Sequence, residues 1–263
     1  MLISPRHTFG IRLFGCSVQV GSSSAEALAA VEPWVFPALP RLADFAEEPE
    51  ILAQVEPSGD RVRLSVHGKE VAAVATPLNP VLDLIRRLDE AVIPRVKGVC
   101  AVHAGCVLWQ GRVLLLPGGS HAGKSSLVAE LLRRGPSCFS DEYALVDVEG
   151  LVHPYPRPLL LRNGGEEQVP VLPQDFGVSA ATAPAPLGWV LALEYRAGAR
   201  LDVAPIQQSE AAMVLLRNTP HIWAENPQLP ALFTRAAAGA RCWAGVRGEA
   251  GEAADQILAL IGA

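Results

Sequence analysis

Lysine is scarce in this chain. Of 22 cationic residues only Lys69, Lys97 and Lys124 are lysines, and the rest are arginines. Acidic residues outnumber basic ones, for a formal net charge of −5, so the positive field with which a non-specific nucleic-acid binder displaces phosphate counterions is missing. No apolar run approaches the ~20 residues that span a bilayer. The opening MLISPRHTFGIRLFG lacks the uninterrupted apolar core and small-residue cleavage site of a signal peptide. Cysteine is sparse as well: Cys16, Cys100, Cys106, Cys138 and Cys242 are odd in number and scattered, with no Cys-x-x-Cys pair. They read as small buried hydrophobes in a reducing compartment, not as disulfides or a zinc site. The expectation is a cytoplasmic protein with no nucleic-acid partner and no membrane partner. Disorder is excluded, because 50% of the 263 residues are hydrophobic, enough for a substantial core.

What is present points to an α/β chain with many short elements. Residues 1–96 read as a small α+β region: a strand over Phe9–Val20, a short helix over Ala25–Val31 stopped by Pro33, and strands over Arg61–Val66 and Val71–Ala75 around a His67-Gly68-Lys69 turn. Asn79-Pro80 opens a helix whose apolar stripe runs from Val81 to Ile93 and which Pro94 ends. A second region, 97–263, holds strands over Val102–Leu108, Val113–Leu116, Cys138–Phe139, Tyr143–Val148, Leu159–Leu161 and Val190–Tyr195. Helices are expected over 124–134, 207–217, 228–238 and 252–261.

The strongest signal is Gly118-Gly119-Ser120-His121-Ala122-Gly123-Lys124-Ser125-Ser126, which satisfies the Walker A pattern G-x-x-x-x-G-K-[ST]. Glycines let the backbone curl so that successive N–H groups face phosphate oxygens, and the helix that follows adds the positive end of its dipole. Lys124 can span the β- and γ-phosphates, and the Ser125 hydroxyl can ligate Mg²⁺. Context supports the pattern: it follows the apolar run Leu114-Leu115-Leu116 and opens a helix. An acidic pair, Asp141-Glu142, comes only 17 residues after Lys124, counting to Asp141, so the helix must turn straight back into an adjacent strand.

The segment from Val102 to Val148, with VHAGCVL, GRVLLLPGGSHAGKSSLVAELLRRG and SDEYALVD, resembles the HPr kinase/phosphorylase family, and especially its shorter relatives that phosphorylate a serine on a precursor peptide. A His, the phosphate loop and an acidic pair occur in the family's order, with His103 placed 21 residues before Lys124. The resemblance implies a mixed-sheet kinase domain of the HPr-kinase/phosphoenolpyruvate-carboxykinase type, ATP and Mg²⁺ as cofactors, a peptide or protein acceptor, and assembly of copies into a homo-oligomer. It implies Asp141 as general base toward the acceptor hydroxyl, Lys124 as charge clamp, and Glu142 with Ser125 as the Mg²⁺ site. His103 would orient the acid or donate to a phosphate oxygen. The family usually has glycine where His121 stands, and its glycine- and arginine-containing C-terminal signature is not found. Two rival functions remain open: a small-molecule hydroxyl kinase of the same fold, and a non-catalytic nucleotide sensor that engages a partner through residues 1–95. Arg157, Arg162, Arg196 and Arg217 are further candidates to clamp phosphate or an acidic substrate. The stiff His153-Pro154-Tyr155-Pro156-Arg157-Pro158 segment reads as an ordered crossing loop.

Overall fold

The computed structural model describes residues 5–42, 48–58, 61–74, 79–119, 122–162, 167–220 and 226–262. The chain groups into two compact units, Met1–Lys97 with Arg162–Val171, and Gly98–Leu161 with Leu172–Ala263. The single cut expected between 96 and 97 does not contain the excursion of Arg162–Val171 into the first unit.

In the first unit, β1 (His7–Leu13) and β2 (Cys16–Ser22) form a hairpin that pairs Leu13 with Cys16. The sequence predicts one strand over Phe9–Val20; the chain instead reverses at Phe14 and Gly15, at φ 47 and 74. Two successive positive φ values match the right-handed twist of the flanking strands, and Phe14 gives no sequence warning of this. Helix α1 (Ala25–Val31) starts at Ser24, whose side chain accepts from the Ala27 N–H at 3.2 Å. It crosses over to β3 (Ile51–Ser58), parallel to β2, and β4 (Arg61–Val66) and β5 (Lys69–Val74) complete a five-stranded sheet. Residue 75 of the expected returning strand lies outside the described residues. Helix α2 (Asn79–Val92) buries Leu82, Ile85, Leu88 and Val92 on one face, as its apolar stripe predicts.

The second unit is a mixed sheet with helices on both faces. Strands β6 (Val99–Trp109) and β7 (Arg112–Pro117) form an antiparallel pair. Helix α3 (Lys124–Leu132) follows, then β8 (Ser137–Ser140), β9 (Tyr143–Asp147), β10 (Leu151–His153) and β11 (Leu159–Arg162). After β12 (Gln168–Val171), which belongs to the first unit, come β13 (Ala185–Tyr195), β14 (Asp202–Pro205), α4 (Gln208–Arg217), α5 (Leu229–Ala237), β15 (Arg241–Arg247) and α6 (Ala250–Gly262). The sheet runs β10-β9-β6-β7-β13-β15-β14, with β8 also paired to β6, and β7, β13 and β15 lie parallel. Leu114 and Leu116 face α3 and α6, whereas Val113 and Leu115 face α4 and α5. Covering both faces is what makes β7 read as an uninterrupted apolar run. The sequence pattern does not mark strand β15, since two arginines and Gly245 interrupt its apolar residues.

Leu115 is 1% exposed at the centre of this sheet, and Val148 is 57% exposed. Leu115→Ala is expected to destabilise the fold by about 2–5 kcal/mol, and Val148→Ala by no more than about 0.5 kcal/mol. Urea midpoints of the two variants beside the wild type check this ordering.

Candidate functional site

The glycine-rich segment that carries the Walker A pattern runs from the carboxyl end of β7 to the first turn of α3. Ser120 and His121 lie outside the described residues, and Gly118, Gly119, Ala122 and Gly123 within them. Gly123 caps α3 in the left-handed region, at φ 72 and ψ 23, and among the described residues no side chain caps the helix. Glycine offers the first N–H groups of α3 no side-chain acceptor, and such a helix start favours an anion. Lys124, the first helical residue, donates from Nζ to the Gly119 carbonyl at 3.0 Å and lies 3.1 Å from His103 Nε2. Burial lowers its pKa, opposed by the nearby carboxylates of Glu142 and Asp141. Ser125 follows half-buried and Ser126 exposed.

The acidic pair sits in the tight turn between β8 and β9. Buried Ser140 shapes that turn: its Oγ accepts from the N–H groups of Glu142 and Tyr143, both at 3.1 Å. Strand pairing places His103 of β6 opposite Tyr143. Glu142 Oε1 then lies 3.0 Å from His103 Nε2, while its Oε2 accepts from Arg157 Nη2 at 3.1 Å. Burial raises the Glu142 pKa, but the His103 hydrogen bond and the charges of Arg157 and Lys124 outweigh it and bring the value down to about 2. A single ring nitrogen cannot donate to Glu142 and accept from Lys124 at once. His103 therefore serves one neighbour at a time.

Asp141 is placed differently from expectation. Its side chain is wholly buried, with Oδ1 3.1 Å from Arg157 Nη2 and Oδ2 accepting the Leu160 N–H at 3.3 Å. Glu142, at 30% side-chain exposure, is the carboxylate the site presents to solvent. A general base must reach the acceptor hydroxyl; in this arrangement Asp141 is enclosed and Glu142 is the more open of the two carboxylates. Arg157 arrives on the proline-rich segment, which is more than a crossing loop. Tyr155 is fully buried edge-on to Tyr143, with centroids 5.8 Å apart, and the Arg157 side chain is 3% exposed. Arg162, Arg196 and Arg217 stay exposed, so of the four candidate arginines Arg157 is the one whose guanidinium meets the acidic pair.

Beside the loop, at the carboxyl ends of the parallel strands, lies an open cavity of about 420 Å³ lined by Pro117, Ala192, Glu194, Val214, Asn218 and Ala244 among others. Open α/β sheets bind ligands at this edge, and small-ligand pockets span about 300–1,000 Å³. Asn218 ties the cavity to the site, because its carbonyl accepts the His103 N–H at 2.8 Å.

No family model and no curated protein matches the chain. Among solved structures, the HPr(Ser) kinase/phosphatase from Coxiella burnetii is similar to it at 15% identity and a TM-score of 0.34, over 61% of this chain and 97% of that one. The chemistry that follows rests on the chain's own atoms. One residue that sequence reading missed is Arg247, whose Nη2 donates to the loop carbonyls of Ala122 and Gly123. Its signal was slight: an arginine and a glycine closing a weak strand.

Glu142 gives a pH prediction. An unfolded glutamate titrates near ~4.3, and the folded group near 2. The stability this group contributes is therefore complete above pH ~4.3 and is lost as the pH falls toward 2. Urea unfolding of wild type and Glu142→Gln should differ by a constant amount from pH 5 to 7, with the gap closing below ~4.3. A gap unchanged between pH 5 and 3 would show that the carboxylate is not held down.

Proposed function

We propose that the chain binds ATP with Mg²⁺ at the turn between β7 and α3 and transfers the terminal phosphoryl group to a serine-type hydroxyl of a peptide or protein. The observation that supports this reading is the contact series Lys124–His103–Glu142, at 3.1 and 3.0 Å, beside a glycine turn that opens a helix. Phosphoryl transfer requires positioning, charge neutralisation and relief of the acceptor's proton, and these are the groups to provide them.

Lys124 clamps the phosphates. Without ligand its ammonium rests on the Gly119 carbonyl and beside His103, and phosphate oxygens are stronger acceptors for it than either. The donor set fits Mg²⁺, which takes few protein ligands and completes its shell with phosphate oxygens and water. The Ser125 hydroxyl would hold it, and the ion supplies neutralisation of the charge that develops on the phosphates.

The acidic pair divides its work by burial. Asp141 anchors Arg157, and Glu142 takes the acceptor proton, whereas the resemblance implies the base at Asp141 and gives Glu142 to the Mg²⁺ site. Once Lys124 moves to phosphate, His103 is free to donate to Glu142 alone and fix its orientation.

The experiment is transfer from γ-labelled ATP to candidate serine peptides and their alanine counterparts, with calorimetric nucleotide binding in parallel. Lys124→Ala should weaken ATP binding at least tenfold. Glu142→Gln should still bind ATP but transfer roughly 10²–10⁴-fold more slowly. If Glu142→Gln turns over normally while Asp141→Asn does not, the base is Asp141. Transfer only to small alcohols would make the chain a small-molecule kinase, and binding without transfer would make it a nucleotide sensor.

A further inference from the structure

Arg247 ends β15 and is 3% exposed. Its Nη2 donates to Ala122 O at 2.9 Å and to Gly123 O at 3.0 Å, and its Nη1 to Gly248 O at 2.8 Å. The guanidinium lies over the Tyr195 ring, 5.3 Å from its centroid, and β13–β15 pairing sets Tyr195 opposite Arg247. The Tyr195 hydroxyl in turn donates to Glu249 at 2.7 Å. A buried arginine is usually explained by a carboxylate partner. Among the described residues this one has none within ion-pair distance, and its donors meet main-chain carbonyls instead.

Peptide planarity gives those contacts a consequence. In a trans peptide the C=O and the following N–H point in opposite directions. Holding the Ala122 and Gly123 carbonyls turns the Gly123 and Lys124 N–H groups to the side away from Arg247. Gly123 is matched to this contact: at φ +72, a Cβ there would lie 2.5 Å from Arg247 Nη2, so both backbone conformation and space call for glycine.

We propose that Arg247 is a positioning residue for polyphosphate. Its guanidinium braces the loop from β15 so that the Gly123 and Lys124 N–H groups are set toward phosphate oxygens before a nucleotide arrives. The role rests on the phosphate-binding reading of the loop. It deepens that reading by assigning part of the affinity to preorganisation by a residue over 120 positions away in the chain.

The test uses the full chain, with ATP, inorganic tripolyphosphate and adenosine as calorimetric probes. Arg247→Ala should raise the Kd for ATP and tripolyphosphate about tenfold or more and leave adenosine binding unchanged, with the far-UV spectrum preserved. Added methylguanidinium should restore part of the tripolyphosphate affinity, which a general loss of stability would not allow. Arg247→Lys keeps the charge but not the fork, so it should fold and still bind tripolyphosphate several-fold more weakly. Wild-type affinity for tripolyphosphate in either variant overturns the role and leaves the phosphate reading intact. Failure of the wild type to bind tripolyphosphate or ATP overturns both.

Discussion

A guanidinium with 3% exposure sits at the base of the site, and most of the local structure follows from having to neutralise it. Arginine cannot escape the cost of burial by giving up its proton, so Arg157 has to meet carboxylates. Asp141 and Glu142 each approach Nη2 at 3.1 Å. Removing one partner from such a pair leaves an uncompensated buried charge at a cost of about 3–5 kcal/mol. Three prolines at alternate positions limit the backbone freedom of the segment that delivers Arg157, and Tyr155 fastens that segment into the core. On the other side, the Ser140 hydroxyl closes the turn that presents both acids. Neither half would hold this shape without the other.

From that anchor the contacts step outward toward solvent. Asp141 is enclosed, Glu142 is partly open, His103 bridges from Glu142 toward Lys124, and Lys124 reaches the loop carbonyl of Gly119. Interaction strength falls as the surroundings become wetter, so the inner end is fixed and the outer end is exchangeable. This gradient suits the proposed binding of a polyphosphate. The lysine can change acceptors while the buried ion pair stays in place to define where the acids stand.

How much of this was legible in the sequence depended on how local each feature is. The strand, the glycine turn and the opening of α3 are contiguous, so chain order alone marks them, and the adjacent acids are visible for the same reason. The division of labour within the pair was not legible. Asp141 and Glu142 are neighbours of the same charge, and only the approach of Arg157 and the Leu160 N–H from another segment buries one of them. Arg247 is a stronger case, since it reaches the loop through a strand whose own pattern is weak. In the first unit, the hairpin between β1 and β2 hid behind Phe14, a residue type that rarely adopts a positive φ.

The scarcity of lysine acquires a physical sense here. Lys69 is exposed, and Lys97 pairs with Glu50 at 2.9 Å while 65% exposed, a kind of contact worth about 0–1 kcal/mol that arginine could also make. Elsewhere in the second unit the chain uses arginine where two acceptors lie side by side: Arg157 spans two carboxylates and Arg247 two carbonyls. In both cases a single Nη2 meets the two acceptors, and its two N–H donors suit the task because the planar guanidinium fixes them relative to one another. Lys124 has a different task. Its ammonium sits against one carbonyl and one imidazole, and on the proposed reading it then turns to phosphate, a task that suits a compact ammonium whose donors can rotate on a flexible stem. A planar fork is bulkier and less free to change acceptors than an ammonium, so on the proposed reading it is a poor substitute at this position.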